Sequence, residues 1–266
     1  MAHIKKLLII AGSDSGGGAG LQADIKTATA HKVFASTIVT SLTAQNTQGV
    51  FAIHNPDISF LEKQMEVVLE DIKFDAIKIG MLANKKISEI VYKYLYKKKN
   101  IINHIILDPV MVATSGDILL EKSAIKFLQD KILPISSVIT PNIDEAEILA
   151  EMKIANLNDM KSAAQKIKKL GAKNVIIKGG HLKNNEKEIQ NILLDENNLF
   201  YEVTNKKLLN QQFHGTGCTL SSAIACNLSH NLTIQDALKE ANKYVYESMI
   251  DGFIVGKGSN VLNHFH

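Results

Sequence analysis

Six short apolar or β-branched runs, at residues 7–11, 33–40, 74–79, 101–107, 137–140 and 174–178, are each about as long as one buried strand. Helix-period patterns fill the gaps: Ile58, Leu61, Met65, Val68 and Ile72 recur at helical spacing, as do Leu157, Met160, Ala164, Ile167 and Leu170. Strands that alternate with helices pair in parallel, and the connecting helices cover both faces of the sheet. The expected architecture is therefore α/β, a doubly wound, mostly parallel sheet. One further pair of runs, 189–194 and 199–203, is joined by Asp195-Glu196-Asn197-Asn198 and reads as an antiparallel hairpin added at an edge. No Pro- or Ser-rich linker, repeat or low-complexity tract interrupts the 266 residues, which suit one domain over 1–266.

In open sheets of this kind ligands bind beyond the carboxyl ends of the strands, so the residues that follow each run carry the functional question. After the first run comes Ala11-Gly12-Ser13-Asp14-Ser15-Gly16-Gly17-Gly18-Ala19-Gly20, then a helix with Gln22, Asp24 and Lys26. Gly18, Gly20 and Ala23 fit a loose dinucleotide fingerprint, but these glycines are expected well beyond the strand end and no acid follows about 20 positions on to hold a ribose. Around Gly256-Lys257 the spacer and the hydroxyl residue of a Walker A loop are both missing.

The richest segment is His214-Gly215-Thr216-Gly217-Cys218-Thr219, which leads into a small apolar helical stretch at 220–228. Two readings are open. It is a glycine turn that starts a buried helix, or it is an anion cradle in which bare N–H groups and a helix N-terminus face one point. In the second reading the helix terminus is expected to lower the Cys218 thiol and make it a proton acceptor beside the anion. Phosphoryl transfer is the chemistry this suggests.

The other strand ends add compatible groups. Leu107-Asp108-Pro109-Val110-Met111 and Thr140-Pro141-Asn142-Ile143-Asp144-Glu145 bring carboxylates to one rim, where a hard cation bridging phosphates takes oxygen ligands. Asn142 and Glu145 also have the spacing of a capping box, so both side chains have a purely local alternative. Lys178, before Gly179-Gly180, supplies a point charge for phosphate, or it snorkels from a strand end. In the segment 43–49 after the second run, Gln45 offers an amide suited to an aminopyrimidine edge, or a turn amide bonded to nearby backbone. Met81 supplies an adaptable apolar wall. His31, His54 and His104 read as surface or packing residues.

Composition narrows the class. A net charge of +3 is weak, and the lysine runs at 97–99 and 166–169 have no interleaved aromatics, so they read as solvated helix faces and nucleic acid is not an expected partner. No apolar run approaches the roughly 20 residues that cross a bilayer, and only five apolar residues separate the first lysines from Gly12. No membrane role is expected, and a cytoplasmic location is. Cys218 and Cys226 lie eight residues apart along one helix, too far for a disulfide, so reduced thiols are expected.

Taken together, the segments 11–24, Gln45-Asn46-Thr47, 78–82, Asp108-Pro109-Val110-Met111 with Ser115-Gly116-Asp117, Thr140-Pro141-Asn142 with Glu145, Lys178-Gly179-Gly180-His181 and 214–219 closely resemble the hydroxymethylpyrimidine/phosphomethylpyrimidine kinases of thiamine biosynthesis, in the ribokinase superfamily. The resemblance covers nearly the whole chain. It implies a ribokinase-like fold and the ATP- and Mg²⁺-dependent phosphorylation of 4-amino-5-hydroxymethyl-2-methylpyrimidine, then of its monophosphate. By the same likeness Gly12, Asp24, Gln45, Met81 and Val110 form the substrate pocket. Asp108, Asn142 and Glu145 serve the metal and the nucleotide phosphates, Lys178 helps hold ATP, and Gly215, Thr216, Gly217 and Cys218 form the anion hole, with Cys218 as base where most of the superfamily has aspartate. A homodimer is also implied. The chain departs from the family pattern at Gly16, Thr43 and Phe213, usually serine, an apolar residue and threonine. Pyridoxal kinase is the nearest rival; a catalytically silent nucleotide sensor and a dinucleotide-dependent oxidoreductase are the readings from other classes.

Overall fold

The computed structural model describes residues 4–111, 120–181, 188–208 and 211–266. Ser115-Gly116-Asp117 lie outside the described residues. The chain runs β1 (Lys6–Asp14), α1 (Gly20–Ala30), β2 (Phe34–Asn46), β3 (Gly49–His54), α2 (Ile58–Asp71), β4 (Ala76–Ile79), α3 (Lys85–Lys98), β5 (His104–Leu107), α4 (Lys122–Phe127), β6 (Val138–Ile139), α5 (Ile143–Ala150), α6 (Leu157–Lys169), β7 (Asn174–Ile177), β8 (Glu188–Leu194), β9 (Phe200–Lys206), β10 (Phe213–His214), α7 (Thr216–Ser229), α8 (Ile234–Ile250) and β11 (Asn260–Val261).

Among the described residues, nine strands form one sheet in the order β3-β2-β1-β4-β5-β6-β7-β8-β9, and β10 pairs with β11 apart from it. Pairing is parallel from β2 through β7. β8 and β9 add the expected antiparallel hairpin at one edge. At the other edge the sequence reading fell short: the second strand does not stop at residue 40 but continues to Asn46 and turns into an antiparallel partner, β3. Polar Thr43, Gln45 and Asn46 hide this extension from a search for apolar runs, because its two sides face a cavity and solvent. β1 likewise continues to Asp14, so the glycines at 16–18 follow the strand end at once, which corrects the expected gap. The missing ribose acid still counts against the dinucleotide motif.

Strand alternation sorts the core into two layers. Leu8, Ile10, Ile77, Ile79 and Leu107 face one way, against α2, α3, α5 and α6. Leu7, Ile9, Ala76, Ile106 and Ile176 face the other, against α1, α7 and α8. Asn84, Asn156 and Thr233 cap α3, α6 and α8 by accepting from the backbone N–H three residues on, and Lys97, Lys98, Lys166, Lys168 and Lys169 fall in last turns, where the helix dipole favours cations. His31 stacks edge-on against Tyr244 and is a packing residue, as expected. No helix among the described residues is long and apolar enough to cross a membrane.

Candidate active site

The carboxyl ends of the parallel strands and the N-terminus of α7 enclose one cavity of about 280 Å³. Gly12, Gln45, Met81, Val110, Asp108, Asn142, Glu145, Lys178, Gly215, Thr216, Gly217 and Cys218 all line it, so thirteen of the candidate positions less one converge there. The exception is Asp24.

Asp24 is fully buried, and its oxygens accept from Lys78 Nζ at 2.9 and 2.8 Å and from Ser222 Oγ at 2.7 Å. It supports the floor rather than the pocket wall, because α1 carries it beneath the sheet end where Lys78 needs a counter-charge. Lys78 is the residue that lines the cavity, and the sequence reading gave it no role. The available signal was alternation: Lys78 follows Ala76 by two, which sets an ammonium on the core face occupied by α1 and α7. Burial opposes its charge, and Asp24 overcomes this and holds Lys78 above the ordinary lysine range. Burial acts to raise Asp24 as well, with Lys78 and the Ser222 hydroxyl pulling it down; the short contacts on both oxygens are those of an ionised pair.

The same alternation places Asp108 two residues after Ile106 and Lys178 two after Ile176, so both reach the α7 side. Lys178 Nζ lies 2.8 Å from Asp108 Oδ1, and Thr140 Oγ1 and Ser221 Oγ donate to Asp108 at 3.2 Å each. Burial acts to raise Asp108, but Lys178 and Lys78 outweigh it and hold the carboxyl below its usual value.

Asn142 and Glu145 do form the capping box of α5. Glu145 N donates to Asn142 Oδ1 at 2.9 Å and Asn142 N donates to Glu145 Oε2 at 2.8 Å. This local role does not exhaust Glu145, whose Oε1, among the described residues, meets the Met111 N–H at 3.4 Å. Burial pushes this carboxyl up to about 7, with Lys178 opposing and Asp108 reinforcing the shift. Among the described residues no group of three or more His, Cys, Asp or Glu side chains is gathered as a metal site. Two neighbouring carboxylates fit a Mg²⁺ ion that keeps waters and takes further oxygens from phosphates.

Gly215 caps α7 with φ 86, a left-handed conformation, and a Cβ there would stand within covalent range of the Gly18 carbonyl oxygen. The glycine loop after β1 and the 214–219 segment therefore touch backbone to backbone. Cys218, third in α7, is half-buried. Here the expected lowered thiol is overturned: burial pushes it up to about 11, Lys78 only partly offsets this, and Asp24 and Asp108 add to it. Removal from water at a site that already holds two carboxylates sets this direction.

Gln45 stands on β2 rather than in a loop. Its amide nitrogen lies 2.9 Å from His214 Nε2 and its amide oxygen 3.2 Å from Thr43 Oγ1, and His214 Nε2 lies 3.1 Å from Asp14 Oδ2. Asp14, His214 and Thr43 also line the cavity, as does Phe213, and the sequence reading assigned none of them a role in the site.

Comparison with known proteins identifies the family. The sequence pattern of the phosphomethylpyrimidine kinase family matches residues 14–263. The chain is 40% identical over 266 residues to the hydroxymethylpyrimidine/phosphomethylpyrimidine kinase of Haemophilus influenzae, covering 100% of this chain and 98% of that protein. Among solved structures it superposes on a phosphomethylpyrimidine kinase from Clostridium difficile with TM-score 0.81 and 38% identity, covering 93% of this chain and all of that one. It also superposes on the pyridoxal kinase of Staphylococcus aureus in complex with AMP-PCP and pyridoxal, with TM-score 0.88 and 30% identity over 99% and 94%. With the glycine corner at Gly215, the lysines at 78 and 178 and the pocket amide at Gln45 on one rim, and with the match running almost end to end, the chain belongs to the phosphomethylpyrimidine kinase family.

Proposed function

We propose that this protein transfers the γ-phosphoryl group of ATP to the carbinol oxygen of 4-amino-5-hydroxymethyl-2-methylpyrimidine, and then a second group to the resulting monophosphate. One observation carries the reading: the amide corner at Gly215 and the Gln45 amide are joined through His214 in one cavity. Gln45 reads the aminopyrimidine edge, with Gly12, Met81 and Val110 packed around the ring. Asn142 and Lys178 hold the nucleotide phosphates. As the new O–P bond forms and the bond from phosphorus to ADP breaks, charge on the migrating group meets the N–H groups of Gly215, Thr216 and Gly217, the α7 terminus and the Lys78 and Lys178 ammoniums. Asp108 and Glu145 would hold Mg²⁺, which supplies charge neutralisation between the phosphates. The carbinol proton passes to Cys218, whose thiolate forms beside Lys78.

Incubation with the pyrimidine alcohol, ATP and Mg²⁺, followed by mass analysis, is expected to show the monophosphate and then the diphosphate. Faster turnover of pyridoxal than of the pyrimidine alcohol would transfer the assignment to pyridoxal kinase. The reading carries a homodimer as well, supported by exposed Leu42, Phe51 and Ile53 at the edge formed by β2 and β3. Light scattering is expected to give about twice 29.2 kDa, and a mass near 29.2 kDa overturns the dimer.

A further inference from the structure

His214 meets two groups with one nitrogen. Its Nε2 is 3.1 Å from Asp14 Oδ2 and 2.9 Å from the Gln45 amide. Asp14 is almost completely buried and accepts three backbone N–H bonds, from Gly16 at 2.8 Å, Gly18 at 3.0 Å and Ala19 at 2.8 Å. A carboxylate solvated by so many donors is ionised and accepts only. Its imidazole neighbour must therefore carry its proton on Nε2.

That proton fixes the glutamine. An amide turned by 180° exchanges its oxygen and nitrogen in nearly the same positions, and the surrounding protons decide which orientation is held. The structure sets the Gln45 amide nitrogen at His214 and its oxygen at Thr43. An Nε2–H faces an acceptor, so the amide belongs turned by 180°, with its oxygen at His214 and its NH₂ at Thr43. There the register closes: Thr43 Oγ1 donates its single proton to the Ser13 carbonyl at 2.9 Å, so it has none for the Gln45 Oε1 that stands 3.2 Å away, and its lone pair suits the N–H that the turned amide brings there. With the opposite amide orientation, the ring nitrogen facing the Asp14 oxygen would hold no proton, and Thr43 would need two. The imidazole is also sterically set, since a Cβ at Gly18 would stand 2.7 Å from His214 Cδ2.

We infer that His214, anchored by Asp14, is a positioning residue for substrate choice: it holds the Gln45 amide with one N–H and one oxygen lone pair left for the ligand. This rests on the pyrimidine kinase reading. A donor beside an acceptor matches a ring nitrogen next to an exocyclic NH₂, the pattern of a 4-aminopyrimidine, and Thr43 completes the set where an apolar residue would leave the amide free to turn.

Two measurements test it. Long-range ¹H–¹⁵N correlation on the free protein reads the His214 tautomer, with the proton expected on Nε2; a proton on Nδ1 with a bare Nε2 overturns the inference and is readable whatever the substrate proves to be. In kinetics, His214→Phe keeps a ring without the donor, and is expected to raise KM for the pyrimidine alcohol roughly tenfold while kcat and the KM for ATP stay within about twofold. His214→Gln, which restores an N–H at similar reach, is expected to recover most of that loss, and His214→Phe should add nothing in a Gln45→Ala background. Unchanged KM in His214→Phe, or full additivity with Gln45→Ala, overturns the positioning role, whereas a wild-type protein inactive on the pyrimidine alcohol overturns the function reading instead.

Discussion

Lys78 and Asp24 form a fully buried ion pair, 2.8 Å at its shortest, between strand β4 and helix α1 directly beneath the cavity. Breaking one side leaves an uncompensated charge in the core. Lys78→Met is expected to cost about 3–5 kcal/mol in urea unfolding, and Lys78→Met with Asp24→Leu to recover most of it. Turnover should stay low in the double variant, because the ammonium at the floor is gone. A double variant with normal turnover would show that Lys78 serves only the fold.

Glu145 predicts a pH dependence of stability. Its folded value of about 7 lies above the ordinary 4.5, so the folded state binds the proton more tightly. That contribution is complete below about pH 4.5 and is lost as pH rises through 7. Glu145→Gln keeps an acceptor for the Asn142 N–H and has no charge to bury. Relative to wild type it should gain roughly 2–3 kcal/mol between pH 4.5 and pH 8, on the scale of 1.36 kcal/mol per pKa unit. Turnover with ATP and Mg²⁺ should fall in the same variant. A stability difference constant across that range would show an ordinary carboxyl.

Cys218 predicts a pH–rate profile and a split between the two phosphorylations. With the thiol at about 11, the thiolate fraction grows tenfold per pH unit below that value, so log kcat/KM for the alcohol should climb with a slope near one across pH 7–9. Cys218→Ala should cut this step by about 10²-fold or more and flatten the climb. The second acceptor is a phosphate, whose last proton leaves near pH 6, so that step needs no base at neutral pH and should suffer far less. Equal losses in both steps, or a flat wild-type profile, would show that the thiol does not take the proton.

Gly215 predicts a backbone limit. Its left-handed φ costs a side chain about 1–3 kcal/mol, and the Gly18 carbonyl occupies the space a Cβ needs. Gly215→Ala should lower Tm and abolish ATP turnover by separating the two loops. Wild-type turnover with an unchanged Tm would mean that the corner is not required in this form.

Much of this was legible in the chain. Strand and helix periods are local properties, so runs such as 74–79 and 174–178 placed the strands within a few residues, and the edge hairpin at 189–203 announced itself by its polar turn. The motif positions pointed to one rim because a parallel sheet gathers its strand ends there. The extension of β2 to Asn46 is not legible in the chain, since Thr43, Gln45 and Asn46 are polar, and Thr43 and Gln45 serve a cavity rather than a core.

The sequence by itself determined the α/β order, the capping of α5 by Asn142 and Glu145, and the chemistry of the loops, because each depends on residues a few positions apart. Tertiary structure alone decided that Asp24 holds Lys78 instead of lining the pocket, that His214 meets Asp14 and Gln45 across 200 and 169 positions of chain, and that the Cys218 thiol is raised rather than lowered. Those outcomes depend on burial and on which charges meet in space, and neither quantity exists until the distant segments pack.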